Sequence, residues 1–228
     1  MEQIGQEGKS INASHATRAL NLEPNRALLK KYDMYAAKSD SASKKWLVAA
    51  VVSLAGTIGL FATGHWIWGI ALLLLTAVFG FLFLMFRGLA IGGPYASGLL
   101  VPAVVVSAGP IKIAALAPMN RTETENDTSD YGLKLLTIPH LPMHTLTIGN
   151  RVPCVAMFSA GSRNGLYTNF EPRPVSWGFD DENVIKKAID VIDEDEWTFL
   201  DTVKHVVTEM SDDQVAYFDA THTLIEVR

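Results

Sequence analysis

Apolar positions run from Trp46 to Phe86 without a single Asp, Glu, Lys or Arg, 41 consecutive positions. A membrane-crossing helix needs about 20 apolar residues to match a hydrocarbon core of about 30 Å. Trp46 to Ala62 supplies 17 and Trp66 to Phe86 supplies 21, with Thr63, Gly64 and His65 between them. One continuous helix would measure about 60 Å and overshoot the bilayer, so the pattern predicts a two-helix hairpin with a tight turn. After Gly98 the period changes to two. Leu99–Ser107, Ile111–Leu116, Leu133–Ile138 and Val152–Phe158 read as strands, bounded by Gly109-Pro110, the polar stretch 120–130 and Gly149-Asn150. Pro102 and Pro153 suit edge or first-residue positions.

Helical spacing then takes over. Asp180 or Asp181 can cap a helix through Ile192 with Val184, Ala188 and Ile189 inward. A second helix is expected from Glu196 to Met210, its apolar face made by Phe199, Leu200, Val203, Val206, Val207 and Met210. Leu224–Val227 alternates and can return to the sheet or simply pack on the surface. Strands followed by helices predict a membrane α-helical hairpin plus an α+β soluble domain, with a small antiparallel β-barrel-like sheet and two C-terminal helices. The domain plan is a cytoplasmic N-terminal segment 1–45, the hairpin 46–86, a Gly-rich linker 87–98 and an acidic cytoplasmic domain 99–228. Within the first segment, Gly5–Ser14 is expected to be disordered. Pro24 precedes a short basic helix over Asn25–Ala37 that can lie on anionic lipid or pack on the domain, and Ser39–Ser43 reads as a linker.

Charge sets the orientation. Lys44 and Lys45 precede the first span and Arg87 follows the second, whereas the turn has no Lys or Arg. By the positive-inside rule both termini are cytoplasmic in a multi-pass protein of the plasma (inner) membrane. Lys44, Lys45, Trp46, Trp66, Trp68 and Arg87 are the expected interface anchors. The first span is not expected to be a cleaved signal, since no cleavage-type sequence follows it. Residues 1–45 hold eight Lys/Arg against five Asp/Glu, and residues 88–228 hold ten against 19. So acidic a domain argues against a nucleic-acid partner, which requires a basic footprint.

Small residues recur at helical spacing: Ala49, Ser53, Gly56 and Thr57 in the first span, Gly69, Thr76 and Gly80 in the second. Such stripes let helices approach closely, either each other or a larger membrane complex. Gly56, Gly69 and Gly80 are therefore candidate interaction positions. Neither span carries an intramembrane charge, which argues against a transporter or pump.

Residues arranged for chemistry are few. His140 and His144 are four apart, but Pro139 and Pro142 forbid the helix that would align them. Cys154, the single cysteine, reads as a small core residue. Ser159–Ser162 lacks a nucleophile-elbow pattern, and no GxGxxG or P-loop occurs. The run Asp190–Glu196 lacks the spacing of a calcium loop and reads as helix capping and solvated charge. Trp177 and Arg173, in a Pro-rich segment, are either interface anchors or, for Trp177, a core side chain closing the domain. Asn12, Asn120 and Asn126 head glycosylation-type triplets that carry no meaning on the cytoplasmic side. No catalytic, cofactor or metal residue is expected.

At Leu99–Ser107 and Thr147–Phe158 (TIGNRVPCVAMF) the domain resembles a family of membrane proteins of corynebacteria and related actinobacteria, with a helical hairpin and a small β-rich domain. The resemblance spans roughly residues 46–210. It implies a barrel-like fold with appended helices and brings no catalytic residues. The expected function is a non-enzymatic, membrane-anchored cytoplasmic protein-interaction module, in one version an accessory subunit of a respiratory or envelope-synthesis complex. Its expected partners are the lipid bilayer and a membrane protein or a second copy. The alternative is a membrane-bound hydrolase or small-ligand-binding barrel using His140, His144 or Cys154.

Overall fold

The computed structural model describes residues 18–90, 94–95, 98–120, 130–159, 162–163, 166–212, 214–219 and 221–228. The expected disorder of Gly5–Ser14, the triplets at Asn12 and Asn126, Ala160-Gly161 and the Gly92-Gly93 pair lie outside these residues. The chain divides into two compact units, Met1–Tyr32 with Pro94–Arg228, and Asp33–Gly93.

The second unit is a helical hairpin. Helix α1 (Arg26–Tyr32) ends in the first unit, and Asp33 then caps α2 (Met34–Ala62) by accepting the Tyr35 and Ala36 N–H groups. Ser39–Ser43, expected as a linker, is helical: the Asp33 cap starts the helix early, and Asp40 pairs with Lys44 at 2.6 Å across one turn. The chain reverses at Thr63–His65, as the turn residues predict. Gly64 adopts φ +81°, and His65 N–H donates to Leu60 O while Gly64 N–H donates to Phe61 O. This left-handed reversal satisfies the last carbonyls of α2 and is open to glycine at no steric cost.

Helix α3 (Trp66–Ala90) returns and runs into the segment expected as a linker. Arg87 reaches Asp40 at 3.7 Å, which sets the end of α3 beside the early part of α2. Thr76 Oγ1 donates to Ser53 Oγ at 2.9 Å across the seam, where Ser53 and Thr57 are buried. Both helices are long and apolar enough to cross a membrane. Their large apolar side chains face outward, with Val52 65%, Ile67 82% and Leu84 67% exposed. A surface this continuous has hydrocarbon as its stable surroundings, so the chain associates with a membrane.

The first unit is built on a curled, seven-stranded antiparallel half-barrel. Its strands are β1 (Leu99–Ala108), β2 (Ile111–Pro118), β3 (Tyr131–Thr137), β4 (Arg151–Phe158), β7 (Phe170–Pro174), β8 (Val215–Phe218) and β9 (Leu224–Val227), in the order β7-β4-β1-β2-β3-β8-β9. A separate two-stranded ribbon joins β5 (Ser162–Arg163) to β6 (Leu166–Tyr167). Helices α4 (Glu182–Val191) and α5 (Glu194–Val203) follow, and α5 passes into a 3₁₀ turn, Lys204–Glu209. Asp181 caps α4 through Asn183 N–H at 2.8 Å.

Strand register assigns the two faces, because alternate residues point to opposite sides. Tyr131 and Phe218 face Phe199 of α5, with ring centres 5.2 and 5.7 Å away, so their side of the sheet is helix-covered. Gly132, Lys134 and Tyr217 belong to the other side. There Lys134, 2% exposed, donates to Asn169 Oδ1 at 2.9 Å and Phe170 O at 3.1 Å, and Tyr217 O–H donates to Thr168 O at 2.8 Å. These bonds hold residues 168–170 against the sheet. With both faces covered, β1 is buried at seven successive positions. That explains why its sequence is a continuous apolar run rather than an alternation.

The N-terminal segment completes this unit. Leu100 N–H donates to Arg18 O at 3.0 Å, on the stretch of β1 that β2 does not reach. Arg18 pairs with Asp193 and Glu196 at 3.3 and 2.7 Å. Asn25 N–H donates to Gly178 O, and Leu20 and Leu29 are buried. Helix α1 therefore packs on the domain.

Candidate functional site

The loop joining β3 to β4 is held at both ends. On one side Ile138 N–H donates to Ile111 O, and Trp177 Nε1 donates to His140 O at 2.8 Å. The His140 ring meets Tyr32 edge-on, with centres 5.9 Å apart. On the other side Gly149 N–H donates to Val105 O, Val105 N–H to Asn150 O, and Asn150 Nδ2 to Thr145 O.

Between this loop and α4 lies an open cleft of about 290 Å³. Its polar lining comes from His144, Thr145, Asn150, Arg151, Glu182 and Lys186, and its apolar lining from Met143, Ile185 and Ile189. Arg151 is committed elsewhere: it forms a two-bonded pair with Glu194 and lies 4.9 Å from the centre of the Trp197 ring. That pairing lowers the Glu194 pKa and raises that of Arg151. His144 Nε2 is buried with no hydrogen-bond partner. Burial lowers the His144 pKa, so the cleft holds a neutral imidazole. A neutral imidazole beside Lys186 and Glu182 can bind a polar group. Among the described residues no three His, Cys, Asp or Glu side chains gather where a metal could bind.

Thermodynamic linkage gives this histidine a measurable signature. Above the ordinary imidazole value of 6.5 it is neutral in folded and unfolded chains alike and adds no pH dependence. Below that value the unfolded chain takes up a proton that the folded chain does not. Stability therefore falls with pH until the lower folded value is passed. Unfolding followed by tryptophan fluorescence in detergent is expected to show this acid loss in the parent and a weaker one in His144→Gln. Equal slopes in the two proteins would contradict the assignment.

The residues singled out by sequence are not brought together. The cleft includes His144 but neither His140 nor Cys154. Cys154 is wholly buried in β4, in register with Val101 and Pro174, and burial drives its thiol pKa far upward. Trp177 and Arg173 are 0% and 3% exposed, so neither presents an interface anchor. Trp177 is the core residue closing the domain, and Arg173 pairs with Glu171 at 3.0 Å. The acidic run is more engaged than capping and solvation alone imply, since Asp193, Glu194 and Glu196 pair with Arg18 and Arg151.

In the hairpin, a Cβ placed on Gly56 would come within 2.9 Å of Leu72, and one on Gly69 within 2.7 Å of Phe61. These two glycines serve the seam between α2 and α3. Gly80 faces open space. Of the expected interface anchors, Trp66 and Trp68 are 65% and 70% exposed, Lys44 and Arg87 share Asp40, and Trp46 lies against Phe79. Sequence reading missed the cleft itself. His144 and Lys186 are 42 positions apart and meet only through the packing of α4 on β4, which leaves no local spacing to detect.

A membrane-associated hairpin joined to an α+β half-barrel is the class of protein these features define. The chain belongs to the family described as "Protein of unknown function (DUF3239)", whose model matches residues 90–207. Among solved structures, a chain described as "Crystal structure of a putative membrane protein from Corynebacterium diphtheriae" is 27% identical, with 50% of this chain and 96% of that chain covered at a TM-score of 0.42. No curated protein matches the chain.

Proposed function

We propose that the chain is a non-enzymatic, membrane-anchored protein-interaction module, an accessory subunit that holds an acidic domain at the cytoplasmic face of an inner-membrane complex. The observation that carries the anchoring is connectivity. The chain leaves the half-barrel unit at Tyr32 and re-enters the same unit at Pro94. One folded domain lies on one side of a membrane, which supports a hairpin in which α2 and α3 cross and return. Lys44, Lys45 and Arg87 flanking the hairpin support a cytoplasmic location for that side. The outward apolar surface and the unoccupied face at Gly80 support docking to a further membrane protein. The hydrolase or ligand-barrel alternative has less support, because Cys154 is buried and the two histidines have different surroundings.

The test is extraction of the tagged protein from native membranes in mild detergent, then native-gel sizing and mass spectrometry of what co-migrates. A stoichiometric membrane-protein partner is the expected outcome. Migration as a monomer or small homo-oligomer would overturn the subunit assignment.

A further inference from the structure

The basic residues that flank the apolar stretch of the hairpin fall into two groups. Lys44 and Arg87 converge on Asp40, at 2.6 and 3.7 Å, and that carboxylate offsets part of their charge. Lys38 and Lys45 instead line an open cavity of about 440 Å³ with Ser41, Ala42, Trp46 and Ala49. These positions recur at steps of three and four, so they share one face of α2. All of them belong to the hairpin unit, and Trp46 is held there by Phe79 of α3, with ring centres 5.6 Å apart.

The polar groups of that lining are donors without an acceptor in the protein. Among the described residues, neither Lys38 nor Lys45 has an ion-pair or hydrogen-bond partner, and Trp46 Nε1–H donates to none. Ser41 is the informative case. Ser43 Oγ donates to Asp40 O at 2.8 Å and Ser53 Oγ to Ala50 O at 3.0 Å, the usual bond of a hydroxyl within a helix. Ser41 Oγ makes no such bond. The cavity is lined by no Asp or Glu among the described residues. Two ammonium groups, an indole N–H and an uncommitted hydroxyl around one space suit an acceptor-rich anion such as a phosphate. Depth agrees. Trp46 begins the charge-free stretch, and Ser41 lies about 7.5 Å further along the helix axis. The polar zone of one leaflet extends about 5–7 Å beyond the hydrocarbon core, so the cavity opens at the level of lipid phosphates.

We infer that this face of α2 binds the phosphate of an anionic phospholipid, with Lys38, Ser41, Lys45 and the Trp46 indole N–H as donors and Ala49 beside the upper acyl carbons. A choline headgroup brings its own cation beside the phosphate and competes with the lysines, so the site favours lipids without one. General attraction of basic flanks to a membrane depends on how many charges lie near the surface. A site depends also on which face carries them, and Lys44, held by Asp40, does not take part. The inference rests on the membrane-anchored reading, in that α2 is a span, but it needs neither a protein partner nor an assignment of sides.

The variants Lys44→Gln and Lys45→Gln supply the test, because they have the same net charge and differ only in the face that loses it. The full chain in neutral maltoside micelles is given equimolar phosphatidylglycerol and phosphatidylcholine, and native mass spectrometry counts the lipid each chain retains. The parent is expected to keep phosphatidylglycerol several-fold over phosphatidylcholine. Lys38→Gln and Lys45→Gln are expected to remove most of that preference, whereas Lys44→Gln keeps the parent ratio. Equal losses in the Lys44 and Lys45 variants would show diffuse attraction and overturn the site, as would a parent without preference. Sodium phosphate in molar excess is expected to leave the lipid bound. Complete displacement would mean that the cavity serves free phosphate, and would overturn the lipid assignment. A chain that stays soluble without detergent and retains neither lipid would overturn the membrane reading itself.

Discussion

A chain cut down to Pro94–Arg228 will fail to hold a stable domain, whereas Arg18–Tyr32 joined to Pro94–Arg228 through a flexible Gly/Ser linker will fold cooperatively without the hairpin. The expectation follows from what residues 18–32 contribute. Ala19, Leu20 and Leu29 are each no more than 1% exposed. Full burial of a leucine stabilises by about 1.5–3 kcal/mol, so losing Leu20 and Leu29 costs about 3–6 kcal/mol. A typical domain has about 5–15 kcal/mol of total stability, so this is a large share of it. Truncation also uncovers the apolar surface beneath the two leucines, strands the Leu100 and Gly178 backbone groups and leaves Glu196 without Arg18. Urea unfolding and size-exclusion chromatography check the point. Equal midpoints for the two chains would show that the N-terminal segment is an accessory. The family match begins at residue 90, so the segment argued to be indispensable lies wholly outside it.

That segment also shows where sequence legibility ends. The hairpin, its turn and four strands could be read because each carries a strong local signal: charge depletion, a Gly-containing breaker, or apolar runs between turn residues. Residues 18–24 have no periodicity, and their burial depends on a β1 edge more than 75 positions away. The helix over Ser39–Ser43 was obscured by its serines, which favour turns in isolation but here sit between the Asp33 cap and the Asp40–Lys44 pair. In α4 Ala188 is buried as expected, but its buried companion is Ile185, while Val184 and Ile189 are half-buried, a small rotation that helical periodicity cannot settle by itself. Strand β7 reads as an exposed Pro-rich stretch because Pro172 and Pro174 suggest a loop. Both prolines are accommodated because β7 is the sheet's edge, where missing N–H groups cost no ladder bond. Strand β8 is buried at all four positions, so it shows no polar–apolar alternation to signal it. The cleft at His144 combines a loop and a helix that no spacing rule connects.

Replacing Trp177 by Ala is expected to destabilise the half-barrel unit by about 3–5 kcal/mol, the range for removing a fully buried large aromatic. Trp177 follows the edge strand directly. Pro174 ends β7, the chain enters the 3₁₀ turn Val175–Trp177, and the indole is directed into the interior with 0% exposure. Its Nε1–H also donates to His140 O, so the side chain fills volume and anchors the β3–β4 loop. The two roles separate by substitution. Trp177→Phe retains most of the apolar volume but deprives His140 O of this donor, and is expected to cost about 1–3 kcal/mol. The single unit that joins Arg18–Tyr32 to Pro94–Arg228 permits the comparison by urea unfolding without detergent. An interface anchor would behave in the opposite way, with Ala leaving the midpoint unchanged and weakening capture of a partner. A loss below about 1 kcal/mol for Trp177→Ala would return Trp177 to that class.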